Sequence, residues 1–146
     1  MSLTQRILVL NGPNLDRLDL RDSTIYGSMN FAQLTEYVIK MGEELGLAAE
    51  VRQSNSEVEI ISWLHEAADH EIPVIFNPAA FTHYSYAIRD AAAMLRAPLI
   101  EVHLSNPLAR EEFRHTSVIS GVAKGTIAGF GANSYRLALL AMKELI

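Results

Sequence analysis

Glu101 and His103 are the residues whose types and spacing first suggest chemistry. They stand two positions apart in the apolar run 98–104, which predicts a buried strand, and strand residues at i and i+2 project from the same face. A buried carboxylate is costly unless another group pairs with it, and an imidazole is a suitable partner. The two side chains therefore form either a self-satisfied structural pair or an acid/base unit.

Arg21 and Tyr26 lie in a polar, irregular segment, residues 15–27, that is long for a compact domain. Separately, they are typical of a solvated arginine and of a tyrosine that anchors a loop. Together they could form a base. Ionising a tyrosine at pH 7 costs about 4 kcal/mol, and a guanidinium about 4 Å away contributes roughly 4 kcal/mol at an effective dielectric of 20 but only about 1 kcal/mol in water. Such a base would work only where solvent is excluded.

Arg110 and Arg114 are candidates for binding an anion. They stand four positions apart and share a face if their segment is helical. Arginine recognises carboxylates well, so an anionic substrate is one interpretation. The other is a salt-bridged surface turn, in which Glu111 and Glu112 pair with the two arginines.

His83 and Asp90 are ambiguous on their own. Asp90 follows Arg89 in a predicted helix, where an exposed charge is typical. His83 could in principle join Glu101 and His103 around a metal ion, but the five histidines lack the tight ligand spacing of known zinc sites. The sequence has no cysteine, which excludes disulfides, thiolate catalysis and cysteine-based metal sites. We therefore predict no metal.

Short apolar runs alternate with helical patterns five times along the chain. The predicted strands are residues 7–10, 47–53, 73–76, 98–104 and 125–130. This alternation predicts a parallel sheet with helices on both faces, an α/β/α sandwich of three layers. Five strands fit the flavodoxin-like, doubly wound order 2-1-3-4-5. The strand 47–53 is the least apolar and is predicted at the sheet edge.

The helices between these strands are predicted from caps and apolar spacing. Asn30 with Gln33, and Ser56 with Glu59, resemble capping boxes. The apolar face of the helix after Ser56 is predicted to be Val58, Ile61, Leu64 and Ala68. That of the last helix is predicted to be Tyr135, Ala138, Leu139, Met142 and Ile146.

Ligands of flavodoxin-like sheets bind beyond the carboxyl ends of the strands, where strands 1 and 3 separate. The loops 11–14, 77–83 and 104–114 fall at that edge. The first has one glycine and a proline, a poor phosphate cradle for a flavin. Asn77 stands where a phosphoacceptor receiver domain needs an acid. The edge therefore favours catalysis by Glu101 and His103 over either of those functions.

Composition indicates one domain, residues 1–146, with an ordinary balance of apolar and charged residues. The net charge of -5 argues against nucleic acid as the main partner. Residues 1–6 lack an apolar secretion core and no apolar run is long enough to span a bilayer, so we expect a cytoplasmic protein without a membrane partner.

Taken together, these stretches resemble the type II 3-dehydroquinate dehydratases (type II dehydroquinases), over nearly the whole chain. The longest and most specific matching block is residues 101–115, Glu-Val-His-Leu-Ser-Asn…Ala-Arg-Glu-Glu-Phe-Arg-His. The other matching segments are residues 10–15, Arg21 with Tyr26-Gly27, residues 53–55, Asn77-Pro78 with Thr82-His83, and Arg89-Asp90.

The resemblance implies an anti elimination of water from 3-dehydroquinate, giving 3-dehydroshikimate, with no Schiff base and no cofactor. Tyr26 is expected to take a proton from the carbon next to the ketone, and Arg21 to favour its ionised form. Asn14 is expected to stabilise the resulting enolate through a held water. His103 is the expected general acid for the departing tertiary hydroxyl, with its imidazole oriented by Glu101.

The resemblance also implies a substrate-binding set and an assembly. The expected substrate-binding residues are Asn77, His83, Asp90, Leu104, Ser105, Arg110 and Arg114. Leu104 and Ser105 would offer backbone and hydroxyl donors to the substrate carboxylate. The resemblance further implies a homododecamer, a tetramer of trimers, in which Asp90 reaches a neighbouring subunit's site. This assembly fits an aspartate that is expected to have no local partner on its helix.

The sequence departs from that family in two loops. The family usually has Leu-Gly-x-Arg-x-Pro before the tyrosine, whereas Asp19 and Ser23 replace the glycine and proline here. Ala79-Ala80 replaces a pair that usually contains glycine, and Leu108 stands where histidine is common. These changes leave open an impaired paralogue that binds a cyclic polyol carboxylate as a sensor or scaffold, or a lyase for a related substrate. Aromatic biosynthesis and quinate breakdown are both possible pathways.

Overall fold

The computed structural model describes residues 4–146. Met1–Leu3, part of the segment without a secretion core, lie outside the described residues. The strands are β1 (Gln5–Asn11), β2 (Leu47–Gln53), β3 (Val74–Asn77), β4 (Leu99–His103) and β5 (Gly125–Ala128). The α-helices are α1 (Ser23–Tyr26), α2 (Phe31–Glu44), α3 (Glu57–His70), α4 (Tyr86–Ala92) and α5 (Asn133–Leu145).

The five strands form one parallel sheet in the order β2-β1-β3-β4-β5, which confirms the predicted topology and the edge position of β2. Side chains alternate across β1, so Ile7 and Val9 join one core and Leu8 and Leu10 the other. The first core lies under α2 and α5, and the second lies under α3 and α4. The predicted three-layer sandwich is therefore confirmed.

The predicted caps form at two helices. Asn30 and Gln33 make a reciprocal capping box at the start of α2, and the Ser56 hydroxyl accepts from the Glu59 backbone N–H at the start of α3. Among the described residues, no helix has the length and hydropathy needed to cross a membrane.

The predicted apolar face of α3 is right at Leu64 and wrong at Val58, while Ile61 and Ala68 are partly buried. The helix buries Ile60, Leu64 and Ala67, while Val58 is 75% exposed. Glu57, at the start of α3, accepts a hydrogen bond from the hydroxyl of Ser85, the N-cap residue of α4, 3.0 Å away, so this end of the helix faces α4 while Val58 faces solvent.

The predicted face of α5 is right for its four inner residues and wrong for Ile146. Tyr135, Ala138, Leu139 and Met142 are buried, as predicted. Ile146 lies beyond the last helical residue, Leu145, and its side chain is 46% exposed instead of joining the buried face of α5.

The loops at the carboxyl edge contain short helical turns. Segment 15–27, predicted as irregular, contains a 3₁₀ helix (Leu15–Leu20) and α1, which is capped by the Asp22 carboxylate. Loop 104–114 contains two further 3₁₀ turns, Pro107–Ala109 and Glu112–His115, instead of one continuous helix. These turns fix the direction of the polar side chains at the edge.

Candidate active site

A pocket opens at the carboxyl ends of β3 and β4 and is covered on one side by segment 15–27. Its lining residues are Leu15, Arg21, Tyr26, Asn77, Ala79, Ala80, His83, His103, Leu104, Ser105, Pro107, Arg110 and Arg114. Nine of the twelve site residues expected from the sequence are in this lining. The other three are Glu101, Asn14 and Asp90.

Glu101 lies behind His103 and is fully buried. Its Oε2 is 2.5 Å from Nε2 of His103, so this nitrogen carries a proton toward the carboxylate. Burial alone would raise the pKa of Glu101, but the hydrogen bonds and charge of His103, with hydrogen bonds from Ser120 and Thr82, outweigh it and lower that pKa. Glu101 and His103 are therefore in contact, as predicted from their i, i+2 spacing, and His103 lines the pocket.

Three hydroxyl side chains surround the Glu101 carboxylate, and the sequence did not single them out. Thr82, Ser117 and Ser120 all lie within 3.1 Å of one of its oxygens. Thr82 comes from the loop after β3, and Ser117 and Ser120 come from the connection between β4 and β5, so no spacing rule relates them to Glu101. The one sequence signal was the high cost of a buried carboxylate, which demands several donors.

The Tyr26 hydroxyl is contacted by two arginines. Nη2 of Arg21 and Nη2 of Arg110 both donate to it. The Arg21 guanidinium also lies over the Tyr26 ring, 3.7 Å from its centroid. The pair Arg21 and Tyr26 is thus brought together as predicted, while the contact of Arg110 with the tyrosine is an addition to its expected role with substrate.

Three guanidinium groups, of Arg21, Arg110 and Arg114, line this one pocket. Burial lowers the pKa of Arg21; the nearby Tyr26 opposes this effect, and the positive charges of Arg110 and Arg114 add to it. Nε of Arg110 is buried without a hydrogen-bond acceptor among the described residues. The pocket is therefore electropositive and suited to a small anion.

Asn77 is held rigidly at the floor of the pocket. Its Nδ2 donates to the Tyr135 hydroxyl at 2.8 Å, and its Oδ1 accepts from the Ala79 backbone N–H at 3.1 Å. Tyr135 in turn donates to Oδ1 of Asn11 at 2.6 Å. Burial raises the pKa of Tyr135, so this phenol stays neutral. The apolar spacing of α5 gave no sign of this polar role.

His83 lines the pocket, and one of its two ring nitrogens is already hydrogen-bonded. Its Nδ1 is 2.8 Å from the Thr116 carbonyl oxygen, so Nδ1 is the donor and Nε2 is left for a ligand. Burial lowers the pKa of His83, and the hydrogen bond that its ring donates to the Thr116 carbonyl opposes that effect. Ser105 also faces the pocket, where its hydroxyl accepts from Nη1 of Arg110 at 3.0 Å.

Asn14 and Asp90 lie outside the lining. Asn14 immediately precedes Leu15 and adopts a left-handed backbone conformation with φ of 69°. The residue is exposed. Asp90 is exposed on α4 and pairs with Nη1 of Arg89 at 2.9 Å. The expectation that Asp90 lacks a local partner on its helix is therefore wrong, since the adjacent arginine reaches it.

Comparisons with known proteins show the family of the chain. The family model described as dehydroquinase class II matches residues 5–143. A 3-dehydroquinate dehydratase of Salinispora tropica is 58% identical over 92% of this chain and 94% of its own length. One from Halalkalibacterium halodurans is 55% identical over 96% and 97% of the two chains.

Solved structures give the same result. The crystal structure of a type II dehydroquinase from Propionibacterium acnes has a TM-score of 0.95 and 51% identity, covering 99% of both chains. That of a type II dehydroquinase from Butyrivibrio crossotus has a TM-score of 0.92 and 42% identity, covering 95% of this chain and 97% of that one. The chain therefore belongs to the class II dehydroquinase family.

Proposed function

We propose that this enzyme converts 3-dehydroquinate to 3-dehydroshikimate by anti elimination through an enolate, without a cofactor. The observation that carries the proposal is that Tyr26, contacted by two arginines, and His103, contacted by Glu101, line the same pocket. A base and an acid around one substrate are what an elimination needs. The family and the names of the relatives supply the substrate.

Tyr26 is the proposed base. It removes a proton from the carbon next to the ketone, and the electrons of that C–H bond pass into the enolate. Arg21 and Arg110 favour the phenolate through charge-assisted hydrogen bonds, which are strong in a site that excludes water. Asn14 is proposed to hold a water against the enolate oxygen, which requires its exposed side chain to turn toward the occupied pocket.

His103 is the proposed general acid. As the enolate collapses, the carbon–oxygen bond to the tertiary hydroxyl breaks, and a proton from the imidazole completes the departing water. Glu101 holds Nε2 of His103, which leaves the opposite ring nitrogen, Nδ1, to donate toward the substrate. One proton is taken and one is given, so the substrate loses water with no net oxidation.

The substrate carboxylate and ring hydroxyls are proposed to bind the remaining polar groups of the pocket. Within residues 4–146, the buried Nε of Arg110 has no hydrogen-bond acceptor, which costs about 1–3 kcal/mol unless a ligand supplies one. Ser105 and the backbone of Leu104 can bind the carboxylate beside it. Asn77, His83 and Arg114 are proposed to bind the hydroxyls.

The proposed assembly is a homododecamer in which Asp90 reaches the pocket of a neighbouring subunit. The surface around Asp90 supports a covered face, because Tyr84, Tyr86 and Met94 are all more than half exposed there. The ion pair of Asp90 with Arg89 is solvent-exposed and therefore weak enough to exchange for a contact with another subunit.

An ultraviolet assay for the conjugated enone tests the reaction directly. Purified protein with 3-dehydroquinate is expected to produce a steady rise in absorbance that stops when substrate is consumed. No rise, together with calorimetric binding of the substrate, would indicate the binding protein without turnover. No rise with this substrate but turnover of another hydroxylated cyclic carboxylate would indicate a related lyase.

A further inference from the structure

The Glu101 carboxylate is the most heavily hydrogen-bonded buried side chain outside the pocket lining. It is fully buried, and among the described residues its one ion-pair partner is His103. No lysine or arginine contacts it there. Neutral hydroxyl groups therefore supply the other donors to this anion.

Counting protons gives the direction of each hydroxyl contact, since a serine or threonine has a single proton to donate. Thr82 donates to Oε2 at 2.5 Å, so at its 2.7 Å contact with Ser117 the threonine is the acceptor. Ser117 itself accepts from the backbone N–H groups of Ile119 and Ser120, at 3.1 and 2.9 Å. The Ser117 hydroxyl also lies 3.0 and 3.1 Å from the two Glu101 oxygens, so its one proton supports the carboxylate either directly or through Thr82.

A second hydroxyl pair reaches the other carboxylate oxygen. Ser120 donates to Oε1 of Glu101 at 2.5 Å, so at its 3.1 Å contact with Thr126 the serine accepts. Donors linked in this way polarise one another, which strengthens each bond to the carboxylate. His103 then completes the set from the pocket side.

We propose that Thr82 and Ser120 are positioning residues that keep Glu101 as the anion of the pair, so that the shared proton stays on His103. This inference rests on the function proposed above. Without one hydroxyl donor, the carboxylate is less stable relative to the carboxylic acid. The proton then moves toward Glu101, and the imidazole becomes a weaker acid for the leaving hydroxyl.

Other charged groups do not replace these donors. His83, Arg114 and His115 line the space around the pair. His83 is hydrogen-bonded to the Thr116 carbonyl, Arg114 to the Glu111 carboxylate, and His115 to the Arg110 carbonyl.

The strands next to β4 bring no charged side chain to Glu101. In the sheet, β3 places Phe76 and β5 places Thr126 beside it. The hydroxyls are therefore the groups to change.

The test replaces Thr82 by valine, which has the same shape without the hydroxyl, and Ser120 by alanine. Each change is expected to lower kcat by about tenfold to one-hundredfold, the effect of losing a hydrogen bond to a charged group, with little change in KM. The sign of the pH effect follows from the lowered pKa of Glu101. A missing donor raises that pKa, so the acid limb of the kcat profile moves to higher pH.

Two comparisons separate positioning from a general loss of stability. Thr82→Ser restores the donor and should return the acid limb toward that of the unmodified enzyme. Ser85→Ala removes a similar hydroxyl–carboxylate contact, of 3.0 Å, at Glu57. It should lower the melting temperature without moving the acid limb.

Titration of the Glu101 carboxyl by ¹³C NMR, assigned with Glu101→Gln, gives a readout independent of turnover. Its midpoint should move to higher pH in Thr82→Val and Ser120→Ala and stay unchanged in Ser85→Ala. An unchanged midpoint in both of the first two variants would overturn the inference. If the unmodified protein does not turn over 3-dehydroquinate, the proposed function fails, while the carboxyl titration still decides the role of the hydroxyls.

Discussion

Ala79 adopts a backbone conformation that is unfavourable for any residue with a Cβ atom. Its φ is 52°, in the left-handed region, and it lines the pocket next to Asn77. A left-handed residue with a Cβ costs about 1–2 kcal/mol. Asn77 fixes this conformation by accepting from the Ala79 N–H. Ala79 therefore places strain at the pocket rim.

Ala79→Gly should stabilise the enzyme by about 0.5–1 kcal/mol, because relief of the left-handed strain exceeds the greater chain entropy of glycine. The melting temperature at fixed protein concentration measures the change. Ala80→Gly is the matched control, since φ at Ala80 is not positive, and it should destabilise by about 0.4–1 kcal/mol. A lower melting temperature for Ala79→Gly would show that the residue is not strained.

At the scale of single residues, the sequence predicted pairs but not networks. Glu101 and His103 were predictable because strand periodicity brings i and i+2 together. Tyr135 was predictable as a buried residue of α5, but its hydroxyl contacts with Asn11 and Asn77 depend on how the helix packs on the sheet. The hydroxyls of Thr82, Ser117 and Ser120 meet Glu101 only after the loop that follows β3 and the connection from β4 to β5 have folded.

At the scale of elements, the loops after β1 and β3 contact each other closely near the site. The Gly12 N–H donates to the Asn77 carbonyl at 2.8 Å. A Cβ added at Gly12 would lie 2.4 Å from the Pro78 carbonyl oxygen, which belongs to the backbone and cannot rotate away. This contact holds the two loops that frame one side of the pocket floor.

Gly12→Ala should therefore separate the two loops and destabilise the enzyme by about 1–3 kcal/mol, the usual cost of overpacking. KM should rise in the same variant, because Asn77 moves with the loop. Gly125→Ala is the control, since a Cβ at Gly125 meets nothing within 4 Å. Equal melting temperatures for the two variants would contradict the account of this contact.

Element boundaries were predictable where caps and apolar runs agree, as for α2 and the five strands. Two predictions failed for physical reasons that sequence spacing does not contain. Helix α3 buries Ile60 and Ala67 instead of Val58, which depends on how the helix packs on the sheet and beside α4. Segment 15–27 has too few apolar residues for a periodic pattern, yet Leu15 and Leu18 are buried and anchor its turns.

At the scale of the whole molecule, the exposed apolar side chains near α4 need an explanation. The proposed dodecamer covers them and brings Asp90 to a second pocket. Sedimentation velocity should therefore give a particle of twelve chains of 16.2 kDa each. Asp90→Asn should raise KM with the fold retained, whereas Asp69→Asn, an exposed change on α3, should not. A monomer with unaltered KM in Asp90→Asn would contradict the assembly.

The central claim is that Tyr26 is the base of a dehydration in which His103 is the acid. The most direct measurement is the initial rate of enone formation by Tyr26→Phe, which keeps the ring and removes the hydroxyl. Tyr37→Phe, on α2 away from the pocket, is the control. We expect kcat to fall by about one-hundredfold to ten-thousandfold in Tyr26→Phe, with an unchanged circular dichroism spectrum and normal turnover in the control. Turnover of Tyr26→Phe near that of the unmodified enzyme would contradict the claim.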